Sequence, residues 1–213
     1  YNTAIGYKCL MGETDAYTGT NANVAIGYEC GLFVGVEAIN NVLIGYECAK
    51  AATGNNNNFT GESNTYIGYQ CGKVNKSGSE NVAIGKCCLF SITGDTSSDN
   101  IADHNGIQNV AIGVDCLYSN VTGNFNVAMG YQCMKNSSNN LNGNTAIGYN
   151  CLAKSTVSTI SPITPNSTNT YNVAIGYECS LKDVGSQSNV AIGARCLAKQ
   201  NVSSGNNNVA IGY

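Results

Sequence analysis

One short motif returns eleven times along this chain, and it constrains the fold more than any other feature. Its core reads Asn-(Val/Thr)-Ala-Ile-Gly-Tyr-x-Cys-Leu. The Asn falls at Asn2, Asn23, Asn41, Asn64, Asn81, Asn109, Asn126, Asn144, Asn172, Asn189 and Asn208. The Gly falls at Gly6, Gly27, Gly45, Gly68, Gly85, Gly113, Gly130, Gly148, Gly176, Gly193 and Gly212, and neither column has an exception. Successive glycines lie 17 residues apart at the closest (Gly68 to Gly85) and 28 at the widest (Gly85 to Gly113). The longer units carry their extra residues after Cys-Leu and before the next Asn, most of all within 90–108 and 153–171. Such a chain is a stack of similar rungs, with insertions confined to one edge.

Within a rung, Asn-Val-Ala-Ile alternates large and small side chains with the period of a strand. Val24 and Ile26, Val82 and Ile84, and Val110 and Ile112 share one face, and the Ala column takes the other. Gly then permits φ > 0 and is expected to turn the chain. The x-Cys-Leu step reads as a second short strand. A polar turn closes the rung, often with Gly before the next Asn, as at Thr53-Gly54 and Thr122-Gly123. A Gly in every unit and the run Asn55 to Asn58 exclude a helix. The expected fold is an all-β parallel β-solenoid, a β-roll of about ten short rungs. It has two strands per rung and variable edge loops, and spans 1–213 as a single tandem-repeat domain. Val and Ile, the Ile column with Met129 as its one substitution, are expected inside each coil. The Asn column is expected to form an amide ladder at a corner. The small Ala column, broken by Leu43 and Tyr66, is expected to face a neighbouring chain.

Composition excludes several classes. Charged residues make up 11% of the chain and the net charge is -3, with no basic stripe, so nothing here attracts nucleic acid. No apolar run approaches the roughly 18 residues of a membrane span, so no membrane insertion is expected. The chain starts at Tyr1 inside a repeat and reads as a segment of a longer fibre.

Ten of the eleven cysteines occupy one column, three residues after the Gly: Cys9, Cys30, Cys48, Cys71, Cys88, Cys116, Cys133, Cys151, Cys179 and Cys196, with Cys87 extra. Stacking would bring neighbouring Cα atoms to about 4.8 Å, inside the range a disulfide spans. A ladder of reduced, buried thiols fits the same spacing. An extracellular location favours disulfides. No metal site follows, because Cys87-Cys88 is the sole close pair. Tyr follows the Gly in most rungs, and Lys86 in that column implies a partly wet position. Glu29 and Glu47 would be rung neighbours, but Lys8, Gln70, Asn150 and Arg195 share their column, which reads as a solvated face. The single His104 builds no catalytic constellation, no cofactor motif is present, and no catalytic residue is assigned. Six sequons for N-glycosylation, at Asn58, Asn75, Asn120, Asn136, Asn166 and Asn201, all fall in the variable edge segments. Some are expected to carry covalent glycans.

The Asn-Val-Ala-Ile-Gly core resembles the head repeats of trimeric autotransporter adhesins. Asn-Thr-Ala-Ile-Gly-Tyr-x-x-Leu, at 2–10 and 144–152, is similar to shaft repeats of phage and large-virus tail fibres. The resemblance covers essentially the whole chain and implies parallel β-rolls, usually homotrimeric, used for attachment. Cys stands where those repeats commonly carry Ala or Ser. The expectation is a structural extracellular fibre or attachment-fibre shaft on a cell surface or virion. It is not an enzyme, and its partner is itself, as a homotrimer or an end-to-end filament. The alternative is an adhesin module that binds glycans or surfaces through the edge loops.

Overall fold

The computed structural model describes residues 1–12, 21–35, 37–51, 59–91, 106–120, 122–136, 141–153, 170–179, 187–197 and 206–213. Each repeat contributes one strand: β1 (Thr3–Tyr7), β2 (Val24–Tyr28), β3 (Val42–Tyr46), β4 (Thr65–Tyr69), β5 (Val82–Lys86), β6 (Val110–Val114), β7 (Val127–Tyr131), β8 (Thr145–Tyr149), β9 (Val173–Tyr177), β10 (Val190–Ala194) and β11 (Val209–Gly212). They form one parallel sheet in sequence order. The pairing sets like on like: Ala111 on Ala128, Gly113 on Gly130, Tyr131 on Tyr149. The chain is therefore a parallel β-solenoid with one rung per repeat.

The second strand expected at x-Cys-Leu is instead a turn. Residues on both sides of the Cys adopt left-handed φ, as at Asp115 (52°) and Leu117 (51°), or Gln132 (54°) and Met134 (52°). No strand holds such angles. A third left-handed residue precedes each column Asn from Asn23 onward, as at Gln108 (54°) and Phe125 (61°). Left-handed φ is costly for residues with a Cβ. Bonds between rungs hold these corners in place. Glu29 N–H donates to Tyr7 O at 2.8 Å, Leu117 N–H to Cys133 O at 3.0 Å, and Phe125 N–H to Ile107 O at 3.1 Å. On the far wall, pairing is reduced to single bridges such as Asn124 with Asn142 and Asn142 with Thr170.

The column Gly was expected to turn the chain, yet it lies inside the strand. Gly113 has φ +127°, and a Cβ there would sit 2.0 Å from the carbonyl oxygen of Gly130. The column admits no exception because its backbone presses on the next rung.

The strand faces are the reverse of the expectation from sequence. Ala25, Ala83, Ala111, Ala128, Ala146, Ala174 and Ala191 are fully buried, while Val and Ile of the central strands are half-exposed. The coil interior is too thin for two branched side chains per rung. It holds Ala from the strand, Cys from the turn, and the residue after Cys. Where the strand position is large, the opposing position shrinks. Ala pairs with Leu89, Leu117 or Met134 in β5 to β7, whereas Tyr66 faces Gly72, where a Cβ would meet the ring at 2.3 Å. Leu43 likewise lies beside Gly31, 3.1 Å from where that residue's Cβ would be. Leu43 and Tyr66 are thus core fillers with compensating partners.

Candidate functional site: ladders along the stack

The structure places its chemistry in columns. The Asn column is buried from Asn23 to Asn189 and bonds in every direction available to it. Asn109 Oδ1 accepts from Asn126 N–H at 3.0 Å and from Asn126 Nδ2 at 3.0 Å. Asn109 Nδ2 donates back to Asn81 Oδ1 at 3.1 Å and forward to Gly123 O at 2.9 Å. The same pattern runs from Asn2 to Asn208 through Asn23, Asn41, Asn64, Asn81, Asn126, Asn144, Asn172 and Asn189. Each amide clamps the next rung's turn, which satisfies a buried polar group and fixes register together. A second, shorter ladder stands two residues earlier. Ile107 N–H donates to Asn124 Oδ1 at 2.8 Å, and Asn124 N–H to Asn142 Oδ1 at 2.9 Å. The same position holds Ile39, Glu62, Ser79, Ile107, Thr170 and Gln187 in other rungs, so sequence reading missed it.

The Cys ladder lines the interior. All eleven cysteines are free, and those from Cys30 to Cys179 in the column are fully buried. Nine of the column thiols reach a carbonyl in the next rung and another in their own. Cys133 Sγ lies 3.3 Å from Gly148 O in the next rung and 3.3 Å from Met129 O in its own. Cys9, Cys48, Cys71, Cys88, Cys116, Cys151, Cys179 and Cys196 repeat the contact to the next Gly carbonyl at 2.8–3.3 Å. At Cys48 and Cys71, hydrogen bonding to the thiol of the preceding rung, with burial, pushes the pKa up to about 12. Those thiols are protonated donors and poor nucleophiles. Cys87 stands apart on the outer turn, its Sγ 3.8 Å from Gln70 Oε1.

On the outside the Tyr column stacks ring on ring. Tyr7, Tyr28, Tyr46 and Tyr69 follow at 5.1, 5.2 and 5.3 Å, and Tyr131, Tyr149 and Tyr177 at 5.0 and 5.1 Å. The rings are 41–46% exposed in the central rungs, as a position tolerating Lys86 requires. The column interrupts at β5 and β6, where Phe90 and Tyr118 stack two residues past the Cys at 4.7 Å instead. Lys73 and Lys135 cap that pair as cation–π partners.

The supposed solvated face is a buried ion ribbon at one end. Glu29 and Glu47 are each only 8% exposed. Lys50 bridges them at 2.5 and 2.7 Å, and Lys73 adds a contact to Glu47 at 2.8 Å. Burial opposes ionisation of Glu47, but the hydrogen bonds from Lys50, Lys73 and Gln70 outweigh it and hold the pKa at about 2. Lys50 and Lys73 stand two residues after Cys48 and Cys71, a column the sequence reading did not weigh.

Two of the six sequons are core residues. Asn75 is fully buried, and its Nδ2 donates to Tyr66 Oη at 2.5 Å and Gly78 O at 3.1 Å, while Oδ1 accepts from Gly78 N–H at 2.8 Å. Asn120 is 1% exposed and closes its rung in the same way on Gly123, at 2.9 and 3.0 Å. These side chains close two of the 17-residue units, Gly68 to Gly85 and Gly113 to Gly130, and the nitrogen a sugar would take is buried and hydrogen-bonded in both. Asn136 is described and half-buried. Asn58, Asn166 and Asn201 lie outside the described residues, as does His104. Among the described residues no group of three or more His, Cys, Asp or Glu could hold a metal, and no helix is long and apolar enough to cross a membrane.

No protein-family model, curated protein or solved structure matches the chain.

Proposed function

We propose that this chain is a shaft segment of an extracellular fibre that assembles with copies of itself and serves to span distance and attach. The half-exposed Val–Ile–Tyr face carries the reading. Ten rung steps of about 4.8 Å make a stripe about 48 Å long, and five residues make it about 16 Å wide. That is about 800 Å² per chain, one side of a standard protein interface. A monomer leaving so long an apolar stripe in water would be unusual. Another copy has the same rung repeat, so it covers every Val and Ile in step. The association expected through Ala is thereby reassigned to the opposite face.

The interior supports a mechanical role. Its Cys48 and Cys71 thiols are protonated donors, its buried carboxylates are tied to lysines, and its amides clamp neighbouring rungs. These arrangements resist local opening through repeated neighbour contacts. Light scattering with small-angle scattering on the purified chain tests the reading. An elongated trimer or filament is expected; a compact monomer at micromolar concentration contradicts it.

A further inference from the structure

Two features of the interior depend on side chains that a secretory compartment modifies. The first is the thiol ladder. Nine of its sulfurs lie within hydrogen-bond reach of the Gly carbonyl of the next rung, as in Cys116 to Gly130 at 3.2 Å and Cys151 to Gly176 at 3.2 Å. Joining two stacked sulfurs passes both hydrogens and two electrons to a disulfide donor of that compartment, which is reduced to a dithiol, and draws the sulfurs to about 2.0 Å, away from those carbonyls. In a fully buried column, both changes cost stability. The second feature is the pair of rung-closing asparagines. Transfer of a sugar from an activated glycosyl phosphate donor to Asn75 or Asn120 replaces one hydrogen of Nδ2 with a bulky group, the proton and the donor's phosphate being released. That nitrogen is the one donating to Gly78 O or Gly123 O from a position at most 1% exposed. Ser77 and Thr122 complete both sequons, so an enzyme acting on the unfolded chain would find them.

We infer that this solenoid forms properly only where its cysteines stay reduced and its sequons stay unmodified during folding. It therefore folds in a reducing compartment without N-glycosylation and reaches any external location as an already folded rod. The inference is independent of the fibre reading. It rests on two separate chemistries, of thiols and of side-chain amides, that exclude the same folding environment.

The test makes the chain twice, in a bacterial cytosol and through a eukaryotic secretory pathway, each with and without the double variant Ser77→Ala/Thr122→Val. That variant removes both sequons and keeps both asparagines. Cytosolic wild type and variant are expected to melt within about 2 °C of each other, with all eleven thiols titrating after denaturation without reductant. Secreted wild type is expected to carry sugar at Asn75 and Asn120 and to melt far lower or aggregate. Whatever the variant recovers measures the glycan arm, and whatever added reductant recovers measures the thiol arm. A secreted wild type bearing both sugars, or bridged ladder cysteines, that melts as high as the cytosolic product overturns the inference.

Discussion

The two faces of one strand obey different rules. The inward face carries Asn, Ala and Gly, and the outward face carries Val, Ile and Tyr. Asn and Gly never vary, and the Ala position changes only where the turn opposite shrinks to match. The outward face accepts Thr for Val, Met for Ile, and Lys, Val or Ala for Tyr. The difference shows where geometry is fixed by the next rung and where it is fixed only by what lies outside the coil. Bulk is a poor guide to the interior here, because the interior is narrow.

The largest effect should come from the inward backbone. Gly113→Ala puts a Cβ 2.0 Å from Gly130 O at φ +127°. A loss on the order of 4 kcal/mol or more is expected, read as the denaturant midpoint. A loss under about 1 kcal/mol would break the claim that the column is sterically closed.

Next comes the volume exchange. Tyr66→Ala should cost roughly 3–5 kcal/mol and Gly72→Leu at least as much, since a Cβ at Gly72 already meets the Tyr66 ring at 2.3 Å. The double variant restores the Ala–Leu pairing of Ala83 and Leu89, so it should be better than the sum of the singles by more than about 2 kcal/mol. Strict additivity would sink the compensation argument.

The outward face should behave differently. Ile147→Thr should cost the isolated chain under about 1 kcal/mol while weakening self-association measurably by sedimentation. A large loss in the monomer would place Ile147 inside the coil.

The smallest effect is in the ion ribbon. Glu47 has its folded pKa lowered from 4.5 to about 2. Its contribution is therefore present above the unfolded value and lost as pH falls from there through about 2. Thermal midpoints of the wild type and Glu47→Gln should differ at pH 6 and draw together as pH falls from about 4.5 toward 2; a constant gap would contradict the assignment.

Most of the architecture was legible in the sequence, since repeat length, strand position, column identity and the buried Asn ladder all follow from the motif. The face assignment was legible too, but only by parity. The column containing Lys86 had to be wet, and it shares parity with Val and Ile; the structural Asn shares parity with Ala. Hydrophobic size pointed the other way. The rung closers also left a signal, because Asn75 and Asn120 both stand four residues after the column Cys and three before a Gly. The sequon pattern masked it. The left-handed corners left none, since Lys, Glu, Gln, Asp, Arg and Cys all occupy the first of them and only the bonds between rungs hold them there.

A density map of the assembled particle, at a resolution that separates rungs, tests the central claim most directly. The account predicts rungs about 4.8 Å apart, with the Ala and Cys columns enclosed within each coil and the Val, Ile and Tyr columns on its outer wall. Val and Ile enclosed within the coil, with Ala at its surface, would contradict it.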